Sequence, residues 1–234
     1  MLSEPKVTVL IPAFNRAQFI GPCIESIRRQ TYPHVEILVY DDGSTDRTAE
    51  IASASPSVRV VRDSINRGVG HARNRLLELC PSDYAAWQDS DDISNIHRLA
   101  HQVAVWNQSA AKNLLLYTNW RFFREPEPAG WTEQPPEDPA ASHRIWTFGG
   151  AFFPVAPARE VGFCEDVTLG GVDIIWRRAM ERHCEARLIL RTLYYNRTHP
   201  DRIGFQKLRP ENRAEKLKSD QAYRRAMKLL DAHE

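Results

Sequence analysis

Short apolar runs alternate with amphipathic stretches along the first hundred residues. The runs predict strands buried on both faces of a sheet, and the stretches carry apolar residues at helical spacing. The predicted strands are Val7–Ile11, Glu36–Tyr40, Val58–Val61 and Tyr84–Gln88, and the predicted helices are Ala17–Gln30, Asp46–Ala54, Gly70–Leu79 and Ser94–Gln108. Repeated strand–helix units predict an α/β fold in which helices flank a mostly parallel, Rossmann-like sheet.

The pattern is less regular after residue 110. The proline-rich stretch 125–142 predicts a loop. The other predicted elements are a strand over Leu114–Asn119, an ordered aromatic segment over Ile145–Val155, a helix over Val172–His183, one or two strands over Leu188–Asn196 and a last helix over Glu211–Leu230. No composition shift marks a boundary, so we expect one domain over 1–234 with an irregular second half.

Composition narrows the class of protein. Of 234 residues, 42% are hydrophobic and 26% charged, as in soluble globular proteins, and a net charge of +1 gives no bulk attraction to nucleic acid. The four cysteines lack CxxC spacing, which argues against a zinc site or a disulfide framework. No signal-peptide pattern and no apolar run of about 18–20 residues is present, so we expect a cytoplasmic protein.

A polar segment follows each of the first four predicted strands. Because ligands of such sheets bind outside the carboxyl ends of the strands, these segments predict a site. They are Pro12-Ala13-Phe14-Asn15-Arg16, Asp41-Asp42-Gly43-Ser44-Thr45-Asp46, Asn66-Arg67-Gly68 leading to Ala72-Arg73-Asn74, and Asp89-Ser90-Asp91-Asp92. Each one alone is also compatible with a turn or a helix cap.

The last segment places three carboxylates in four positions. Like charges this close repel one another unless positive charge lies among them. Clustered carboxylate oxygens suit a hard divalent cation, Mg²⁺ or Mn²⁺, and such ions bind diphosphates. The alternative is a cap on the helix predicted from Ser94.

Taken in order and spacing over about the first 110 residues, the four segments resemble family 2 glycosyltransferases of the GT-A fold. The resemblance implies that Asp41 contacts the nucleotide base and that Asp89, Ser90 and Asp91 form the family's DxD element. Asp91, Asp89 and His199 are then the expected metal ligands. The other donor-binding residues that it implies are Pro12, Ala13, Phe14, Asn15, Gly68 and Arg73, with Arg67 as an alternative to Arg73.

The general base is assigned by a weaker match. The segment starting Gly170-Gly171-Val172-Asp173 resembles a family segment that usually reads Glu-Asp, which implies that Asp173 is the base. Val172 departs from that pattern, and Glu165 or Asp166 would take the role in another register. A helix cap is the structural alternative for Asp173.

The resemblance therefore implies an inverting, metal-dependent transferase. It would move a sugar from a nucleotide diphosphate sugar, expected to be UDP-linked, to a hydroxyl of a glycan or lipid-linked acceptor. The family's membrane helices and Gln-x-x-Arg-Trp motif are missing from the sequence, which favours single addition. Residues 1–110 would bind the donor and 111–206 the acceptor, with loop 125–142 and the aromatic side chains Trp146, Phe148, Phe152 and Phe153 shaping the acceptor pocket.

Two other functions remain open from the sequence. One is a non-catalytic sugar-nucleotide-binding protein; the other is a sugar-phosphate nucleotidyltransferase, which the absence of glycine between Lys6 and Ile20 disfavours. The basic stretch 207–234 predicts either a solvated helix or peripheral contact with an anionic membrane. Its basic residues are Lys207, Arg209, Arg213, Lys216, Lys218, Arg224, Arg225 and Lys228, beside a thin apolar stripe of Leu217, Ala226, Leu229 and Leu230.

Overall fold

The computed structural model describes residues 4–127, 131–133, 148–168, 170–200, 202 and 210–232. The strands are β1 (Val7–Ala13), β2 (Val35–Asp42), β3 (Val58–Asp63), β4 (Tyr84–Trp87), β5 (Ile93–Ser94), β6 (Leu114–Phe123), β7 (Phe152–Pro154) and β8 (Glu185–Arg197). The helices are α1 (Ile20–Arg28), α2 (Thr48–Ser53), α3 (Val69–Leu79), α4 (Arg98–Gln108), α5 (Val155–Val161), α6 (Val172–Met180) and α7 (Arg213–Asp231).

Within these residues the strands form a mixed sheet of order β3-β2-β1-β4-β7-β6-β8-β5. The first four positions are parallel, β7 runs antiparallel to both β4 and β6, and β8 is parallel to β6. The chain runs outward from β1 to β3 and then returns to place β4 on the other side of β1. The crevice between the ends of β1 and β4 is therefore the topological switch point, where α/β sheets bind ligands.

Helices cover both faces of the sheet. One apolar cluster joins the sheet to α3, α5, α6 and α7, and includes the fully buried Trp87 and Trp176. A second cluster on the opposite face joins the sheet to α1, α2 and α4. The middle parts of these strands, 9–11 in β1 and 37–40 in β2, are apolar because they supply side chains to both clusters.

The predicted α/β fold with a mostly parallel sheet and an irregular second half is confirmed. Three elements were not predicted, because β5 and β7 are two and three residues long and the helix α5 begins inside the predicted aromatic segment. Helix α4 begins at Arg98 rather than at Ser94, since Ser94 pairs with Tyr194 in the sheet. No helix in the described ranges is both long and apolar enough to cross a membrane.

Candidate functional site

The first two polar segments bind each other at the carboxyl ends of β1 and β2. The backbone N–H of Asn15 donates to Ser44 Oγ at 2.9 Å, and Asn15 Oδ1 accepts from the backbone N–H of Thr45 at 2.9 Å. Asp46 accepts from the backbone N–H of Ala17 at 3.0 Å. These bonds hold Asn15 at φ +51°, an uncommon value for a residue other than glycine. Asn15 therefore shapes the crevice.

Asp41 lies beside this crevice with no solvent exposure. Its Oδ1 accepts from the backbone N–H of Ser44 at 3.1 Å. Its Oδ2 lies 3.2 Å from Nε of Arg62 but accepts no aligned hydrogen bond within the described part of the chain. Next to it, Ala13 is buried and Phe14 is 36% exposed. Asp41 Oδ2 is thus a buried acceptor without an aligned donor in the described residues, and the Phe14 ring is exposed close by.

The neighbouring carboxylate Asp42 supports the third polar segment instead. Its two oxygens accept from the backbone N–H groups of Arg67 and Gly68 at distances of 2.7 to 3.1 Å. Gly68 is the residue before α3 and has φ +97°, a value that favours glycine. The hydrogen bond from its backbone N–H to Asp42 holds it at the start of that helix. Arg67 reaches Asp63 at 3.8 Å.

Arg73 points from α3 toward Asp89 through an aromatic enclosure. Its guanidinium lies 4.1 Å above the Phe148 ring centroid, and its Nη2 lies 3.5 Å from Asp89 Oδ1. Burial raises the pKa of Asp89, and the Arg73 charge opposes that rise. Of the two predicted arginines, Arg73 is thus the one that reaches the Asp89–Asp92 segment.

Close packing fixes Asp89. Its backbone N–H donates to the hydroxyl of the buried Tyr194 at 3.0 Å. A Cβ on Gly149 would lie 2.3 Å from that hydroxyl oxygen and 2.9 Å from Asp89 Oδ2. Only glycine fits there without movement of one of these groups. The neighbouring Ser90 is buried.

Asp91 meets His199, more than a hundred residues along the chain. Asp91 Oδ2 lies 2.9 Å from Nε2 of His199 and 3.4 Å from Nε of Arg16. Burial would raise the pKa of Asp91, but the hydrogen bond with His199 and the Arg16 charge hold that pKa below its usual value. Asp91 is therefore an ionised carboxylate beside an imidazole.

Asp92 carries a different role from Asp91. It is 1% exposed, and its Oδ1 accepts from the backbone N–H of Arg197 at 2.7 Å. Burial and the charges of Asp91 and Asp89 raise the pKa of Asp92 well above its usual value. Asp92 thus joins the fourth polar segment to β8, which positions His199.

The Asp91–His199 pair fits a small divalent cation. Mg²⁺ binds its ligands at 2.0–2.1 Å in an octahedron, which places adjacent ligand atoms about 2.9 Å apart. Asp91 Oδ2 and His199 Nε2 lie 2.9 Å apart as hydrogen-bond partners, so a cation could bind both atoms only in place of the proton between them. No three His, Cys, Asp or Glu side chains of the described ranges are arranged as a complete metal site, so further ligands would come from a bound diphosphate or water.

Asp173 lies in the first turn of α6 and is not its cap, because the capping residue is Gly171 with φ +97°. The Asp173 charge adds to the raised pKa of Asp89, so the two carboxylates lie within electrostatic range of each other. Val172, the departure from the family pattern, is 2% exposed in the core. Tyr223 of α7 packs against Gly171, where a Cβ would be 3.0 Å from its ring.

The two alternative bases are placed differently. Glu165 is bonded to α3: its Oε1 accepts from Asn74 Nδ2 at 2.7 Å, and its Oε2 lies 3.2 Å from Nδ1 of His71. Asp166 is exposed in the following turn. These contacts favour Asp173 over Glu165, because Asp173 has no hydrogen-bond or ion-pair partner among the described residues.

The predicted sugar-stacking role of the aromatic segment is wrong for its described members. Phe152 and Phe153 are 0% exposed and Phe148 is 9% exposed, because all three fill the core. Trp146 and most of loop 125–142 lie outside the described residues. Of this loop, residues 125–127 and 131–133 are described, and the backbone carbonyl of Trp131 accepts from the N–H of Ile96.

Helix α7 has two contrasting faces. Ala222, Tyr223, Ala226, Met227 and Leu230 pack against the core, whereas Leu217 and Leu229 are exposed, which corrects the predicted apolar stripe. The opposite side is basic. Its exposed side chains Arg213, Lys216, Lys218, Arg224, Arg225 and Lys228 form no ion pair with any other residue that the structure describes. Lys207 and Arg209 fall outside that part of the chain.

Sequence reasoning gave no role to Tyr194, Gly149 or Arg62. Their partners lie far away in the sequence, so no local spacing points to them. Arg16 belongs to the first polar segment. Its position directly after a strand end could have indicated that it lies at the site.

Comparisons with known proteins agree with this arrangement. The model of a family described as glycosyl transferase family 2 matches residues 8–152. An uncharacterized glycosyltransferase of Rickettsia typhi is 30% identical over 117 residues, covering 50% of this chain and 37% of that protein. The putative glycosyltransferase EpsE of Bacillus subtilis is 36% identical over 109 residues, covering 44% of this chain and 39% of that protein. The chain thus matches well under half of these relatives' length.

Solved structures share the fold. The S. aureus TarS 1-349 structure in complex with UDP-GlcNAc gives a TM-score of 0.71 at 18% identity, covering 95% of this chain and 71% of that one. The mannosyltransferase PcManGT from Pyrobaculum calidifontis, in complex with GDP-Man and Mn²⁺, gives a TM-score of 0.62 at 20% identity. That match covers 95% of this chain and 65% of that one.

Proposed function

Because the chain belongs to glycosyl transferase family 2, we propose that it transfers a sugar from a nucleotide diphosphate sugar, UDP-linked, to a hydroxyl of a glycan or lipid-linked acceptor, with inversion at the anomeric carbon. The observation that carries this proposal is the convergence of Asp41, Asp89 and the Asp91–His199 pair at the switch point of the sheet. A similar fold is found in complex with UDP-GlcNAc in TarS.

The donor would lie along the carboxyl ends of β1, β2 and β4. Asp41 Oδ2 would accept the N3–H of uracil, and Phe14 with the backbone of Pro12, Ala13 and Asn15 would line the base and ribose. The ribose and the sugar would then approach Asp89, Ser90 and Arg73, with the backbone at Gly68 alongside. The buried Arg73 charge supports a role at the negative diphosphate sugar.

Asp91 and His199 would hold a divalent cation, Mn²⁺ or Mg²⁺, with Asp89 nearby. Such an ion supplies positive charge that stabilises the departing diphosphate. On the opposite side of the donor sugar, Asp173 would accept the proton of the acceptor hydroxyl as that oxygen attacks. The place of Asp173 in the first turn of α6, without a hydrogen-bond partner in the described ranges, supports this role.

A panel of nucleotide sugars tests the proposal. The protein should release UDP from at least one UDP-sugar when Mn²⁺ and a hydroxyl acceptor are present, and EDTA should suppress the release. Binding without release would instead identify a sugar-nucleotide-binding protein. Formation of a nucleotide sugar from a sugar phosphate would identify a nucleotidyltransferase.

Removal of the Asp41 carboxylate should weaken nucleotide binding. Asp41→Ala loses one charge-assisted hydrogen bond, worth roughly 1.5–3 kcal/mol. Calorimetry with UDP should therefore show a dissociation constant at least about tenfold higher. Equal affinities of the two proteins would exclude Asp41 as a base contact, and circular dichroism would check that the variant is folded.

The basic face of α7 would contact an anionic membrane that carries a lipid-linked acceptor. Each Lys or Arg near such a surface contributes about 1 kcal/mol at moderate salt. The exposed Leu217 and Leu229 border the basic side chains and would add apolar contact. We therefore propose a cytoplasmic protein that attaches peripherally to the membrane.

Co-sedimentation with vesicles measures this attachment. Binding to phosphatidylcholine vesicles containing phosphatidylglycerol should fall steeply as salt is raised. Replacing Arg224 and Arg225 with Glu should abolish it, whereas Arg28→Glu with Arg29→Glu, an equal charge change on α1, should have a small effect. No sedimentation at low salt would leave α7 as a solvated helix.

A further inference from the structure

Phe122 lies near the end of β6 and is 63% exposed. The exposed aromatic side chains of the described residues are Phe14, which borders the donor crevice, and Phe122. We propose that Phe122 and Trp120 together bind one sugar ring of a glycan acceptor, next to the ring that carries the reacting hydroxyl. This inference rests on the proposed function, because it concerns the acceptor of that reaction.

The two aromatic side chains form one surface. Residues two apart on a strand project to the same side, so Trp120 and Phe122 share a face of β6. Their ring centroids lie 4.6 Å apart with the ring planes at 85°, an edge-to-face contact that restricts both rings. The surface is thus largely preorganised, and a ligand that packs on it would have to order few side chains.

Hydrogen-bond donors border this aromatic surface. The Arg202 guanidinium carbon lies 5.5 Å from the Phe122 ring centroid. Its Nη1 donates to the backbone carbonyl of Arg197 at 3.0 Å, and its Nη2 donates to Asn196 Oδ1 at 3.2 Å. The other N–H groups of this guanidinium have no acceptor among the described residues.

An aromatic face beside free N–H donors fits a sugar better than a purely apolar ligand. The C–H groups on one face of a sugar ring pack against the electron-rich face of an aromatic ring, and the sugar hydroxyls accept hydrogen bonds. A hydrocarbon chain would cover the same ring but would remove the Arg202 donors from water without pairing them. The charge and polarity of this surface therefore favour a glycan as its occupant.

Two contacts connect the aromatic surface to the proposed metal and donor groups. Trp120 is paired with Tyr194 of β8, and the Tyr194 hydroxyl accepts from the backbone N–H of Asp89 at 3.0 Å. The backbone N–H of Arg202 donates to the carbonyl of His199 at 3.4 Å. One strand spacing, about 4.8 Å, and the length of a tyrosine side chain separate Trp120 from Asp89. Because this separation exceeds the width of one sugar ring, the ring bound here is a neighbour of the ring that reacts.

The subsite makes the acceptor a chain of at least two sugars. A disaccharide occupies both positions, whereas a monosaccharide fills the reacting position and gains nothing from the aromatic surface. The contact with Phe122 then appears as a difference in KM between two acceptors that share one reacting ring.

Matched acceptor pairs measure this difference through the release of UDP from the accepted UDP-sugar. The pairs are glucose with cellobiose, galactose with lactose, and N-acetylglucosamine with chitobiose. In at least one pair the KM of the disaccharide should be about tenfold or more below that of the monosaccharide. Phe122→Ala should remove most of this advantage by raising the KM of the disaccharide, with the KM of the monosaccharide and of the donor unchanged. Phe122→Tyr should retain the advantage, because it keeps the ring.

Leu190→Ala is the matched control. Leu190 is an apolar side chain of the neighbouring strand β8 and is 38% exposed. Its truncation should leave the KM values of both acceptors unchanged. Thermal unfolding of each variant would show that it remains folded.

Several outcomes would overturn the inference. Equal KM values within every pair, or no acceleration by any sugar in a protein that binds UDP, would exclude a second sugar position. An equal rise of both KM values in Phe122→Ala would place Phe122 at the reacting ring instead. Dissociation of a dimer in Phe122→Ala, seen by sedimentation equilibrium, would assign the surface to a contact between two copies. Failure of the unmodified protein to bind UDP would overturn the proposed donor itself, which distinguishes that failure from the others.

Discussion

Asp91→Asn should lower the rate of sugar transfer by about 10²-fold or more. Asp91 is ionised beside His199 and Arg16, and the substitution removes its negative charge while keeping its shape. Charge stabilisation by a bound cation is worth several kcal/mol, and each 1.36 kcal/mol of barrier is a factor of ten in rate. Steady-state kinetics over a range of Mn²⁺ concentrations would measure the loss and any increase in the metal requirement.

Asp63→Asn is a suitable control. Asp63 is also a carboxylate at a strand end, but it accepts from the Tyr40 hydroxyl and lies on the other face of the sheet from Asp41. Its substitution should leave the metal requirement unchanged. Full activity of Asp91→Asn, together with full activity of the unmodified protein in excess EDTA, would refute the proposed metal site.

Asp173→Asn should lower transfer by about 10²–10⁴-fold, the usual contribution of a positioned general base. Donor binding should change little, since Asp41 and the Asp91–His199 pair lie on other elements. A direct attack assisted by Asp173 also requires that the product have the opposite anomeric configuration to the donor. Rates, calorimetry with UDP and the anomeric coupling in proton NMR spectra together test the assignment.

Glu165→Gln and Asp166→Asn are the matched controls for the base. Glu165→Gln should affect stability more than chemistry, because Glu165 is bonded to Asn74 and His71 of α3. Asp166→Asn should be close to neutral. Retention of anomeric configuration, or a larger loss of rate in either control, would assign the base elsewhere.

The sequence predicted the fold of the first half and the edge of the sheet where polar groups gather. Both follow from local signals: Val7–Ile11 is a continuous apolar run, and Asp89–Asp92 directly follows another such run. The predicted β1, β2 and β3 each end two residues before the observed strands, and in β2 this is because Asp41 and Asp42 are polar yet remain in the strand. Both residues pair with β3, but only Asp41 lies beside the crevice, whereas Asp42 accepts from the backbone of Arg67 and Gly68.

Contacts between distant segments explain what the sequence could not show. The aromatic side chains Phe152 and Phe153 suggested sugar binding, but β7 inserts them between β4 and β6 as core. Tyr194 of β8 touches Asp89 although 105 residues separate them in the sequence, because the fold brings β8 close to the segment that follows β4. Spacing along a chain carries no information on such pairs without knowledge of the strand order.

The contact between Tyr223 and Gly171 has a consequence for the order in which a ribosome makes the molecule. A nascent chain that has emerged as far as His199 already contains Asp41, Asp89 and Asp91. Its α6 helix, however, still lacks the Tyr223 ring that supports the turn before Asp173, as well as the Arg178–Asp231 ion pair at the other end. Under the proposed roles, the groups that would bind the nucleotide are therefore all made before the contacts that support α6 and Asp173.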